Sequence, residues 1–173
     1  MNGPELRVVT LDAERDFHNN RFEGEDSRSS FDRYYRALYS CFKKYKQRRR
    51  ELAKGKYVLE YGCATGSEAM SLSRVAHWIT GIDISDTAIY KARKTAAWEG
   101  CTNTDFNVLD AHATGLPAES YSLIYGSGIL HHLDCTRAYA ELRRVLKEDG
   151  SILFIEPLDY KYDRDWEARC MSI

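Results

Sequence analysis

The stretch Val58-Leu59-Glu60-Tyr61-Gly62-Cys63-Ala64-Thr65-Gly66 decides the fold. Val58 to Tyr61 reads as a short β-strand, and Glu68 to Ala76 carries the spacing of a helix. Between them lies a turn of small residues. At a strand-to-helix junction, small residues let the backbone approach a ligand, and the N–H groups that open the helix can receive a polar or anionic group.

Outward from this junction, β-rich runs alternate with helical stretches, the pattern of a parallel sheet covered on both faces. Trp78 to Ile84 is the second strand, and Ser85 or Asp86 caps a helix that runs to about Glu99 and stops at Gly100. Phe106 to Leu109 and Tyr121 to Tyr125 are the third and fourth strands. A helix from about Cys135 to Leu146 ends near Gly150, and Ser151 to Ile155 is the fifth strand before Pro157. Upstream, residues 1–28 read as an irregular polar arm with Phe17 and Phe22 as isolated anchors. From Ser30 to Leu52, Phe31, Tyr34, Tyr35, Leu38, Phe42 and Tyr45 recur at helical steps after a capping pair, Ser29 and Asp32. The chain thus divides into an arm and amphipathic helix (1–54), a core (55–157) and a tail (158–173).

The 173 residues suffice for one domain with its own core. With 25 Lys and Arg against 26 Asp and Glu, no general attraction to nucleic acid or anionic lipid is expected. The five cysteines are scattered, without zinc spacing or an even framework, so free thiols, no metal and a cytoplasmic setting are expected. No run reaches membrane-spanning length.

Loop spacing discriminates among nucleotide cofactors. A dinucleotide fingerprint needs G-x-G-x-x-G, whereas here Ala64 stands second and Ser67 third, with Gly66 four residues after Gly62. That disfavours a nicotinamide-dependent oxidoreductase. Asp83 closes the second strand, where a carboxylate can accept from both hydroxyls of a ribose. Taken alone, an Asp before Ser at a strand end is more often a turn or cap residue; the preceding glycine loop favours the ligand reading.

Taken in order, the glycine loop, Gly81-Ile82-Asp83-Ile84-Ser85, Asp110-Ala111 and Gly126-Ser127-Gly128-Ile129-Leu130-His131-His132 resemble the class I S-adenosylmethionine-dependent methyltransferases of the small-molecule type. The resemblance covers about Lys56 to Pro157. It implies a Rossmann-like α/β fold with strand order 3-2-1-4-5, helices on both faces, and an N-terminal helical lid. It also implies S-adenosylmethionine as cofactor and S-adenosylhomocysteine as product. Glu60, Gly62, Cys63, Ala64 and Gly66 would surround the methionine part, and Asp83 would hold the ribose. Ile84 would pack on the adenine, and Asp110 and Ala111 would bond its edge. Gly126 and Ser127 would line the methyl-donor site. Tyr61 and Ala64 depart from the smaller residues usual in that loop.

The acceptor is expected to be a small molecule methylated on oxygen, nitrogen or carbon. A histidine suits the general base that a hydroxyl or acidic carbon needs, and in similar enzymes the residue at His131 faces the acceptor; a structural or capping role for His131 and His132 is the alternative. His18 and Arg21 come within reach if the arm closes, and otherwise lie on the surface. The basic run Lys43 to Arg50 is either a phosphate grip or a solvated helix end. The family sheet has two further strands, for which the sixteen residues after Pro157 carry no hairpin signal. This predicts a truncated form or a homodimer through the exposed edge of the fifth strand. A cofactor-binding module without turnover is the second functional reading.

Overall fold

The computed structural model describes residues 10–23 and 39–156. Its elements are α1 (Leu11–Glu23), α2 (Tyr39–Ala53), β1 (Tyr57–Tyr61), α3 (Ser67–Ser73), β2 (Trp78–Asp83), α4 (Asp86–Trp98), β3 (Thr104–Val108), β4 (Tyr121–Ser127), a 3-10 turn (Leu130–His132), α5 (Cys135–Val145) and β5 (Leu146–Ile155). The strands form one sheet in the order β3-β2-β1-β4-β5, every pair parallel. The expected Rossmann-like architecture is therefore present. The order reverses direction between β1 and β4, and in such sheets the crevice beyond the strand ends at that point takes ligands.

Alternation along β1 builds the two layers. Val58 packs with Leu123, Tyr125, Ile79 and Phe106 beneath α3 and α4, with Ala53 of α2 in the same cluster. Leu59 and Tyr61 point the other way, into a cluster with Ile82, Ile124, Tyr121 and the α5 residues Leu142 and Val145. Both faces of the central strand are buried, which is why it reads as a nearly continuous apolar run. Ser85 caps α4 by accepting from the Ala88 amide at 3.0 Å, and Asp134 caps α5 through the amides of Thr136 and Arg137.

Three features differ notably from expectation. Residues 11–23, read as irregular, form α1. Thr10 starts it by accepting from the Ala13 and Glu14 amides, with Asp12 and Glu14 in the first turn. The helix buries none of its residues and sits on polar contacts: Asn19 Oδ1 accepts from Ser85 Oγ at 2.6 Å, and Lys91 Nζ donates to the Phe22 carbonyl. Second, β5 starts at Leu146, earlier than Ser151, because Leu146 pairs with Tyr121 before an irregularity that lets Ser151 pair with Leu123. Third, Arg49 in the basic run is buried. It pairs with Glu68 and stacks its guanidinium over Tyr45 and Tyr125, at 5.3 and 4.8 Å from the ring centroids. Lys46 also reaches Glu68, at 2.9 Å, so part of that run is structural. The aromatic stripe before Tyr39 and the tail after Glu156 lie outside the described residues. Among the described residues no helix is long and apolar enough to cross a membrane.

Candidate functional site

The loop after β1 is shaped from behind. Gly66 has φ +76°, and a Cβ there would lie 2.6 Å from the Phe106 ring; a Cβ on Gly81 would lie 2.7 Å from the same ring. Gly62 also has positive φ, and its missing side chain leaves room for Ile129. Ala64 occupies the same left-handed region at φ +47°, where the family pattern places glycine. Its amide donates to Asp83 Oδ2 at 2.8 Å, and the Ser85 amide donates to Oδ1 at 2.9 Å.

A cleft opens where these pieces meet. Its walls are Gly62 from the loop, Ile82, Asp83 and Ile84 from the end of β2, Leu109 to His112 after β3, Ile129, His132 and Leu133 after β4, and Leu11, Glu14 and His18 from α1. Asp110 is held by His112, whose amide and Nδ1 lie 2.9 and 2.7 Å from its Oδ1. His112 Nε2 in turn accepts from the Asp134 amide. The Ala111 carbonyl accepts from the Tyr61 hydroxyl at 3.3 Å, which gives the bulky Tyr61 a role beneath the adjacent loop.

The structure therefore brings Gly62, Asp83, Ile84, Asp110 and Ala111 together on one cleft. Ala64 contributes through its bond to Asp83. The remaining predicted residues are not among those lining the cleft. Cys63 packs into the core, and burial, with Glu60 and Asp83 near, keeps its thiol protonated. Glu60 is buried, and burial pushes its carboxyl up to about 8 against the opposing pull of Arg49. Gly126 lies under Phe154, and its carbonyl accepts from the Tyr45 hydroxyl at 2.8 Å, which pins α2 to the end of β4. Ser127 is exposed at the strand end.

The two histidine rings lie 4.1 Å apart between centroids, but their partners differ and only His132 is among the cleft-lining residues. His131 Nδ1 lies 2.7 Å from Glu156 Oε2, while Oε1 of the same carboxylate accepts from the Ile129 and Leu130 amides. His132 lines the cleft and faces Glu14 Oε1 at 3.0 Å; burial and the neighbouring His131 hold its imidazole below the ordinary value, against the pull of Glu14. Sequence reasoning missed Glu14, His112 and Glu156. The first had a signal, because Glu14 and His18 stand one helical turn apart, and so did His112, two residues after Asp110; Glu156 acts across 25 residues, which no local pattern reveals.

Comparison with known proteins bears on this arrangement. The chain is similar to aklanonic acid methyltransferase DauC of Streptomyces sp. strain C5, at 33% identity over 111 residues, 60% of this chain and 49% of that protein. It is also similar to the uncharacterized methyltransferase YcgJ of Bacillus subtilis, whose crystal structure matches with a TM-score of 0.62 at 25% identity, over 66% of this chain and 50% of that one. The structure of the [4+2]-cyclase SpnF matches with a TM-score of 0.60 at 29% identity, over 65% and 42% of the two chains. The chain spans about half the length of the curated relatives it matches. A family model described as "Methyltransferase domain" matches residues 58–150, which include the glycine loop, Asp83, Asp110 and the His131-His132 turn, and with more than half its length so matched the chain belongs to the methyltransferase domain family.

Proposed function

We propose that this domain binds S-adenosylmethionine in the cleft and transfers its methyl group to an oxygen, nitrogen or carbon atom of a small-molecule acceptor. The observation that carries the reading is the convergence of Asp83, Gly62 and Asp110 on one cleft beside the sheet's switch point. The fit is chemical. Each Asp83 oxygen accepts one backbone N–H and keeps a further lone pair for a ribose hydroxyl, while Ile84 and Leu109 offer apolar surface to a flat base. Asp110 would take the base amino group.

When bound, S-adenosylmethionine supplies a methyl group on an activated sulfonium, so the protein's work is alignment and exclusion of water. His131 is the proposed base for a hydroxyl or acidic-carbon acceptor. The Glu156 carboxylate accepts its Nδ1–H, which leaves Nε2 as the free acceptor for a proton. α1 covers the cleft on its outer side as a lid.

The resemblance to a cyclase supports a second reading, in which the cleft holds the cofactor without methyl transfer, since one fold hosts several chemistries. Calorimetric titration with S-adenosylmethionine, S-adenosylhomocysteine and NAD tests the cofactor. Micromolar binding of the first two, weakened about 10- to 100-fold by Asp83→Ala, is expected. No binding by the folded protein would defeat the proposal. Binding without turnover across a panel of hydroxyl, amine and acidic-carbon acceptors would favour the second reading.

A further inference from the structure

Glu14 and His18 occupy successive turns of α1, on the side that lines the cleft, and His132 meets them from the 3-10 turn. Glu14 Oε1 lies 3.0 Å from His132 Nδ1 and 3.5 Å from His18 Nε2. One ligand atom from each residue can be chosen so that all three fall within 4.8 Å of one another. The two imidazoles meet edge to face, with centroids 5.2 Å apart. A hydrogen bond explains the shorter Glu14 distance, but 3.5 Å is too long for the other.

The three ligand atoms already lie within 4.8 Å of one another, so small side-chain shifts would bring them to the spacing of ligands around one ion. Ligand atoms placed tetrahedrally at zinc bond lengths of roughly 2.0–2.2 Å stand about 3.3–3.6 Å apart, and octahedral neighbours about 3 Å apart. Two imidazoles and one carboxylate are also the donors that borderline divalent ions select, and three protein ligands leave a further coordination position open. The described cysteines, Cys41, Cys63, Cys101 and Cys135, are absent from the cleft walls, so no thiolate competes there. Sequence spacing cannot reveal such a group, because its ligands come from α1 and from a turn beyond β4.

We propose that Glu14, His18 and His132 form a three-ligand site for a divalent transition-metal ion, with Zn²⁺ the best match, which fastens α1 to the core and presents an open coordination position to the cleft. Binding requires no turnover, so its failure and the failure of methyl transfer are separable.

The test is titration of the full chain with Co²⁺, followed by visible absorption, with Zn²⁺ competition. One equivalent should bind, giving d–d bands without a thiolate charge-transfer band, and Zn²⁺ should displace it. Glu14→Gln, His18→Ala and His132→Ala should each weaken binding by at least about tenfold. His77→Ala, outside the group, should leave it unchanged. Circular dichroism verifies that each variant is folded. Absence of saturable binding to the wild-type chain overturns the site, as does binding that survives the three substitutions or carries a thiolate band. Hydrogen exchange reads the fastening: amides of residues 11–23 should slow when Zn²⁺ is added, and unchanged exchange in the metal-bound protein overturns that part.

Discussion

The amide of Ala64 donates to Asp83 Oδ2 at 2.8 Å from a residue held at φ +47°, so the carboxylate at the end of β2 is positioned by a non-glycine residue in left-handed backbone. That conformation costs an L-residue about 1–2 kcal/mol, whereas glycine adopts it freely but loses about 0.4–1 kcal/mol through its more flexible unfolded chain. Ala64→Gly is therefore expected to raise unfolding stability by up to about 1 kcal/mol while retaining the bond to Asp83. Urea denaturation would show the midpoint rise with an unchanged slope.

Gly66 predicts the opposite sign. A methyl group there combines left-handed strain with a contact 2.6 Å from the Phe106 ring, so Gly66→Ala should destabilise the fold by about 2–4 kcal/mol. The same substitution at Gly100, which also has positive φ but no neighbour within 4 Å, should cost only the strain net of the unfolded-chain gain, up to about 1 kcal/mol. Equal losses at the two positions would refute the packing part of the account.

Two buried carboxylates give stability opposite pH dependences. Glu60 is pushed up to about 8 by burial; Arg49 beside it is already paired with Glu68. Between an unfolded value near 4.5 and about 8, the folded state holds the extra proton, so this contribution is full below pH 4.5 and declines as pH rises towards 8. Glu141 is lowered to about 2 by its bonds to Arg144, then Thr114, so its contribution is present above pH 4.5 and lost as pH falls towards 2. Glu60→Gln should flatten the alkaline decline in thermal unfolding, and Glu141→Gln the acid one. A crossed result would reverse the assignments.

The His131–Glu156 pair predicts a split in the kinetics. With a hydroxyl acceptor, His131→Asn should lower kcat about 10²- to 10⁴-fold, and Glu156→Gln should lower it less, each with KM for S-adenosylmethionine little changed. A role confined to holding the turn would instead raise KM and lower stability. Steady-state rates with both substrates varied distinguish the two.

The parts legible in the sequence are those whose causes are local. The first two strands, read as Val58 to Tyr61 and Trp78 to Ile84, fall within a residue of β1 and β2 because both faces of those strands are buried, and the glycine loop is legible because left-handed turns call for particular residues. α1 was illegible because it has no apolar stripe: Leu11 and Phe17 are exposed, and its seat is Asn19 against Ser85. Arg49 looked like a solvated helix end, since only the fold brings Glu68, Tyr45 and Tyr125 around it. In the cleft, Asp83 was legible from its place at the end of β2, and Ile84 and Asp110 only through the family resemblance. Glu156 was not, because its partners His131, Ile129 and Leu130 lie about 25 residues earlier.

The polar seat of α1 has a consequence for the timing of ligand exchange. A thirteen-residue helix with no buried side chain is held by a few hydrogen bonds and ion pairs, each worth about 1 kcal/mol net. Its detachment costs far less than unfolding the five paired strands, so it is expected to open before the sheet does. A molecule in the cleft can then leave while the sheet and the Asp83 loop keep their shape, and its residence time follows the lifetime of that polar seat. Raising the ionic strength, which weakens exposed ion pairs but hardly touches an apolar core, should shorten that residence before it lowers the melting temperature.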